Sequence, residues 1–175
     1  MTSRKITAKK IAVLSLLTGL SLVAFIIENL LPPLFIPGAK LGLANIFSFA
    51  ALILYSPLEA FIVLVARTIL GAVFAGNLSA LLYSFTGGVA AMGVSSLLIY
   101  TVYPKVSVMA VSVSSAVLHN ITQNIVFVFL SGSTLMFGYM PYLALIGVFS
   151  GAVVGGITLA IFKGIPTKIF EKLTT

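Results

Sequence analysis

Long apolar runs, separated by short polar or proline-containing breaks, make up most of this chain. A helix needs roughly 20 apolar residues, each rising 1.5 Å, to cross a hydrocarbon layer of about 30 Å. Six stretches approach that pattern, approximately Ile11 to Leu31, Leu41 to Tyr55, Pro57 to Gly76, Ser79 to Tyr100, Val106 to Leu130 and Pro141 to Phe162. The second is the shortest: it either starts inside a funnel on one side or tilts little, and a five-helix reading stays open beside the six-helix one. The breaks have recognisable chemistry. Ser56-Pro57-Leu58-Glu59 reads as a capping serine, a proline at the first helical position and a glutamate at the third, so the second and third helices should form a tight antiparallel hairpin. Pro104 and Lys105 separate the fourth from the fifth, and Ser131-Gly132-Ser133 and Met140-Pro141 bracket a longer polar loop before the sixth.

Composition makes this an integral membrane protein. Hydrophobic residues are 60% of the chain and charged ones 7%, where a soluble domain needs about a quarter charged to cover its surface. The residues that are missing exclude whole chemistries. No cysteine means no disulfide scaffold, cysteine zinc cluster or iron-sulfur centre, and His119, as the sole histidine, supplies neither two haem ligands nor three zinc ligands. There is no aspartate, and Glu28, Glu59 and Glu171 are scattered, whereas magnesium-assisted ionisation of a prenyl diphosphate needs clustered carboxylates. No metal site and no intrinsic cofactor is therefore expected.

Charge placement gives a topology. Arg4, Lys5, Lys9, Lys10, Lys105, Lys163, Lys168 and Lys172 fall on one side of a six-helix layout, Lys40 falls on the other, and Arg67 lies within a helix. The positive-inside rule then puts both termini in the cytoplasm. The net charge of +7 reads as topology and contact with anionic headgroups of the bilayer, not as nucleic-acid binding. A cleaved signal peptide is not expected, because the first apolar run is too long and Glu28 to Pro33 lacks a small-x-small cleavage site.

Small residues recur every four positions, which lets helix backbones approach closely in lipid. Gly147, Gly151 and Gly155 on the sixth helix, and Gly87, Ala91 and Ser95 on the fourth, read as internal packing. Ala8 with Ala12, and Ser15 with Gly19, mark the first helix, where the alternative is a docking face for another membrane subunit.

Polar groups in the hydrocarbon usually face an interior or cavity and mark function. Arg67 needs an anionic or carbonyl partner, either within the protein, where Glu28 is a candidate, or on a ligand. Ser112, Ser115, His119 and Gln123 share one helical face and, with Asn120, Thr122 and Asn124, give the fifth helix a hydrogen-bonding stripe. That stripe is either a satisfied structural network or a pocket in which His119, Asn120 and Gln123 read a ligand. Glu28, Lys40, Asn45 and Asn77 lie near the outer helix ends, beside the loop from Pro32 to Lys40, either a lid over an outward-facing pocket or an interfacial cap.

Three of these segments resemble a known family: Pro37-Gly38-Ala39-Lys40-Leu41-Gly42-Leu43-Ala44-Asn45, Arg67-Thr68-Ile69-Leu70-Gly71 and Leu118-His119-Asn120-Ile121-Thr122-Gln123. The resemblance is to the bacterial membrane proteins called the Gx transporter family, also labelled heptaprenyl diphosphate synthase component I. It implies an all-α bundle of six transmembrane helices like the S-components of energy-coupling factor (ECF) transporters, in the bacterial cytoplasmic membrane. Such proteins capture a small vitamin-like solute from outside and dock on a transmembrane coupling subunit driven by an ATPase pair. Arg67, His119, Asn120, Gln123, Lys40, Asn45 and Glu28 are then the expected ligand contacts, and Ala8, Ala12, Ser15 and Gly19 the docking face. Two alternatives accompany the resemblance: a non-catalytic membrane partner of a prenyl diphosphate synthase, and a quinone- or flavin-binding component of an outward electron-transfer chain. For the latter, Ser131-Gly132-Ser133-Thr134 resembles a flavin-attachment sequence, with Thr134 as the acceptor. None of the three readings makes this chain an enzyme.

Overall fold

A computed structural model describes residues 7–30, 41–76 and 78–163. They form α1 (Ala8–Leu30), α2 (Leu43–Leu54), α3 (Pro57–Ala75), α4 (Leu78–Thr101), α5 (Val108–Ser131), a 3-10 helix (Thr134–Tyr139) and α6 (Met140–Phe162), with no strand among the described residues. Five of these helices are long and apolar enough to span a membrane; α2 is not. At 12 residues it is about 18 Å long, well short of the hydrocarbon thickness.

The shortness of α2 has a local cause. Leu41 and Gly42, expected inside the helix, precede it: Gly42 sits in the left-handed region at φ 72°, ψ 28° and begins the helix as its N-cap. Its N–H donates to Glu28 Oε1 of α1 at 2.6 Å. At the other end Tyr55 departs from helical geometry, and α3 starts two residues later with Pro57 at its first position. The capping box expected there takes another form. Ser56 makes no side-chain cap; its hydroxyl donates to the Glu59 carboxylate, which also pairs with Lys10 of α1. At the start of α5, Ser107 does cap, accepting from the Ala110 N–H at 3.1 Å, so the helix begins at Val108 and not at Val106. Between α5 and α6 the expected polar loop is a compact 3-10 turn whose Leu135 is 82% exposed.

The helices pack in sequence, α1 on α2 and α3, α3 on α4, α4 on α5 and α5 on α6, while α2 also reaches α4 and α6. The short helix is thus enclosed by the others. Eight of its residues, Ala44, Ile46 and Ser48 to Ile53, are buried, consistent with a sequence that is apolar on every face. Its second half joins Ala60, Val63, Val111 and Phe162 in the main apolar core. That core lies at the end of the bundle that carries Lys9, Lys10, Lys105 and Lys163.

The glycine stripe of α6 is internal. A Cβ on Gly147 would stand 2.7 Å from Val117 Cα, and one on Gly151 2.5 Å from Val113 Cα, so α5 and α6 touch backbone to backbone there. By contrast Ala8, Ala12, Ser15 and Gly19 of α1 all face outward, and a Cβ on Gly19 would meet nothing within 4 Å.

Candidate functional site

Among the described residues, two polar assemblies inside the bundle share Asn45. The first surrounds Arg67, only 2% exposed. Its Nη1 donates to Ser84 Oγ of α4 at 2.9 Å and its Nη2 to Asn45 Oδ1 of α2 at 3.1 Å. Buried Glu28 lies within electrostatic range, and the same carboxylate holds the Gly42 N–H. The arginine thus joins α2, α3 and α4, and the glutamate brings in α1. Arg67 Nε has no hydrogen-bond partner among the described residues.

The second assembly is a cavity of about 40 Å³ lined by Leu41, Gly42, Asn45 and Phe49 before and along α2, Leu64 of α3, Gly88, Ala91, Met92 and Ser95 of α4, Ser112, Ser115, Ala116, His119 and Asn120 of α5, and Ser150 and Val154 of α6. That volume holds a few waters. It runs from the start of α2 down to the apolar core, with hydroxyls, amides and an imidazole on one side and Phe49, Leu64 and Met92 on the other. Among the described residues, no carboxylate, lysine or arginine lines it.

The α5 stripe lies partly in this cavity and partly between helices. Asn120 Nδ2 donates to the Leu143 carbonyl at 3.1 Å, Asn124 Nδ2 to the Met136 carbonyl at 3.0 Å and Ser112 Oγ to the Gly151 carbonyl at 2.8 Å. These bonds tie α5 to α6 and to the 3-10 helix. Gln123 lies outside the cavity lining, packed on α4: a Cβ at Gly87 would approach its Cγ to 2.7 Å and the His119 ring to 3.1 Å. The small residues of α4 therefore make room for the α5 stripe as well as for helix contact.

Of the residues singled out in the sequence, Glu28, Asn45 and Arg67 converge, and Asn45, His119 and Asn120 line the cavity. Arg67 is turned away from that cavity into its own cluster. Lys40 lies outside the described residues. Thr134 begins the 3-10 helix on the surface, at the end of the bundle opposite Lys10. Sequence reasoning missed Ser84 and Ser150, because single serines in apolar helices are ordinary and carry no spacing signal. It also missed that Lys10 pairs with Glu59, since neither residue marks the other across 49 positions.

The model of one protein family matches residues 17–161, which include every cavity-lining residue and the whole Arg67 cluster. The chain belongs to the heptaprenyl diphosphate synthase component I family. No match is found among curated proteins. For a component I chain the placement of carboxylates is informative. Among the described residues no three of His, Cys, Asp or Glu come together, and Glu28 and Glu59 sit at opposite ends of the bundle, each bound to its own cationic or N–H partner. They form no cradle for a hard cation and a diphosphate.

Proposed function

We propose that this component I protein is a non-catalytic membrane subunit that binds a small organic solute, taken from the outer side, in the cavity between α2, α4, α5 and α6. One observation carries the reading. Hydrogen-bonding side chains from α2, α4, α5 and α6 converge on a cavity inside the bundle, and that cavity ends on the apolar core at the lysine-bearing end. With that end cytoplasmic by the positive-inside rule, the apolar core lies between the site and the cytoplasm. At about 40 Å³ it must widen to hold a solute of vitamin size, for which pockets of roughly 300 Å³ and more are usual. Met92, an unbranched and adaptable side chain in the wall, is suited to that.

Release inward then needs a second protein. The outward face of α1, with Ala8, Ala12, Ser15 and Gly19, is smooth enough for close approach of another transmembrane helix, and an ECF-type coupling subunit with its ATPase pair is the partner this reading takes. The family description supports a different partner, a separate catalytic subunit of a prenyl diphosphate synthase, for which the same face would serve. Co-purification from the native membrane separates the two.

The binding itself is tested by filling the cavity. Ala91→Leu places a larger side chain in the lining without touching any hydrogen bond described above. The wild-type protein, purified in nanodiscs, should retain a stoichiometric small molecule that mass spectrometry detects and the variant lacks. Equal retention by both, or by neither, would count against a solute site here.

A further inference from the structure

The segment between α5 and α6 is too apolar for water and too irregular for hydrocarbon. Residues 106–162 carry no lysine, arginine, aspartate or glutamate, so no charge holds this part of the chain out in solvent. Its exposed side chains are instead large and apolar. Phe129 is 81% and Leu135 82% exposed, and Phe137, Tyr139 and Tyr142 are exposed beside them. The backbone argues in the other direction. A 3-10 helix of six residues closes few hydrogen bonds of its own, and an unpaired backbone group is costly in lipid. The Met136 N–H reaches the Ser133 carbonyl only at 3.4 Å, while the Met136 carbonyl accepts from Asn124 Nδ2 of α5 at 3.0 Å. An apolar surface on a backbone that still needs water or a protein partner fits the boundary between acyl chains and headgroups.

The length of α5 puts the segment at that boundary. Lys105 marks the headgroup level at the lysine-bearing end, and α5 starts just after it, at Val108. At 1.5 Å per residue, roughly 20 residues cross a hydrocarbon layer of about 30 Å, which brings the far edge close to Phe127. Asn124 lies about 5 Å short of that edge, and its amide holds the Met136 carbonyl near the same depth. After the left-handed turn at Gly132, φ 67°, the chain thus doubles back beside the last turns of α5. We infer that the 3-10 helix is a membrane-seated anchor, held by Asn124, that lays Leu135, Phe137 and Tyr139 among the lipids of the leaflet away from the lysines. Lipid is the occupant because this uncharged surface continues into the lipid-facing sides of α5, at Phe129, and of α6, at Tyr142. Tyrosines with an apolar ring and a polar tip suit the headgroup level.

The chain contains no tryptophan, so a single one introduced by substitution reports its own depth. Leu135→Trp, in the full chain reconstituted into phosphatidylcholine vesicles, should lose more fluorescence to lipid brominated near the headgroup than to lipid brominated at the chain ends, and little to aqueous iodide. Phe149→Trp, at an exposed position near the middle of α6, should show the two lipids in the reverse order. Tyr139→Trp should repeat the Leu135→Trp result, which keeps the test decisive should the first variant fold poorly. Adding Asn124→Leu to Leu135→Trp should shift the quenching from lipid to iodide; unchanged quenching would overturn the role given to Asn124. Quenching of Leu135→Trp by iodide and not by lipid would overturn the anchor in favour of a loop in water. Quenching by neither would overturn it in favour of a protein cover, such as a second copy of the chain. Strongest quenching by the chain-end bromines would overturn the boundary depth.

Discussion

Replacing Arg67 by methionine separates a structural arginine from a ligand-reading one. The substitution keeps an unbranched apolar stem and removes the charge, together with the donors to Ser84 and Asn45. Hydrogen bonds between transmembrane helices average about 0.6 kcal/mol each, so the two bonds alone amount to about 1 kcal/mol. The larger effect falls on Glu28, which is buried and loses the favourable field of the guanidinium. Removing one member of a buried, oppositely charged pair costs about 3 to 5 kcal/mol, and the low end is the upper bound here, because Arg67 acts on Glu28 across the cluster and the carboxylate keeps, among other contacts, the Gly42 N–H. A loss near 3 kcal/mol in a chain of this size lowers Tm by about 6 to 12 °C. The assay is thermal unfolding of the unliganded protein in nanodiscs, with Glu28→Gln and the double variant completing a mutant cycle. Neutralising Glu28 removes the charge that the guanidinium favours, so the double variant should be more stable than the sum of the single losses implies. An unchanged Tm for Arg67→Met, or single losses that add within about 0.5 kcal/mol, would refute the structural pairing.

Other consequences can be measured on the same preparation. Gly151→Ala forces a Cβ to within 2.5 Å of Val113 Cα, and since backbone cannot step aside, an overpacking loss of about 1 to 3 kcal/mol is expected; Gly19→Ala, with open space around it, should leave Tm unchanged. Glu59→Gln removes the partner of Lys10, whose side chain is 16% exposed and so can reach water; its cost should be smaller than that of Arg67→Met, about 1 to 2 kcal/mol. Asn124→Leu strands the Met136 carbonyl and should raise proteolysis between Ser131 and Met140 without disturbing the α5 to α6 contact below it. A cysteine at Ser133 should react with an impermeant maleimide from outside and one at Lys105 from inside; the opposite pattern would invert the topology on which the outward-facing site depends.

Composition and periodicity alone determine that this chain lives in lipid, that its apolar segments are helices, roughly where they are broken and which chemistries it lacks the atoms to perform, because those properties depend on what each segment is made of. Gly147, Gly151 and Gly155 could be assigned to packing from their spacing, since close backbone approach in lipid has few other solutions. The roles of single polar residues could not be assigned in this way. Arg67 and the stripe from Ser112 to Gln123 stand out in sequence as costly, yet whether each faces a ligand or its own protein depends on which residues lie across from it. Tertiary structure alone brings Ser84 and Asn45 to the guanidinium, seats Gln123 on Gly87, and points the protons of Ser112, Ser150 and Asn120 at carbonyls of α6. It also decides the length of α2, through one left-handed glycine held by a carboxylate fourteen positions earlier. A side chain's spare hydrogen-bonding capacity is what remains after its neighbours are satisfied, so the character of the cavity becomes readable only once the helices are packed.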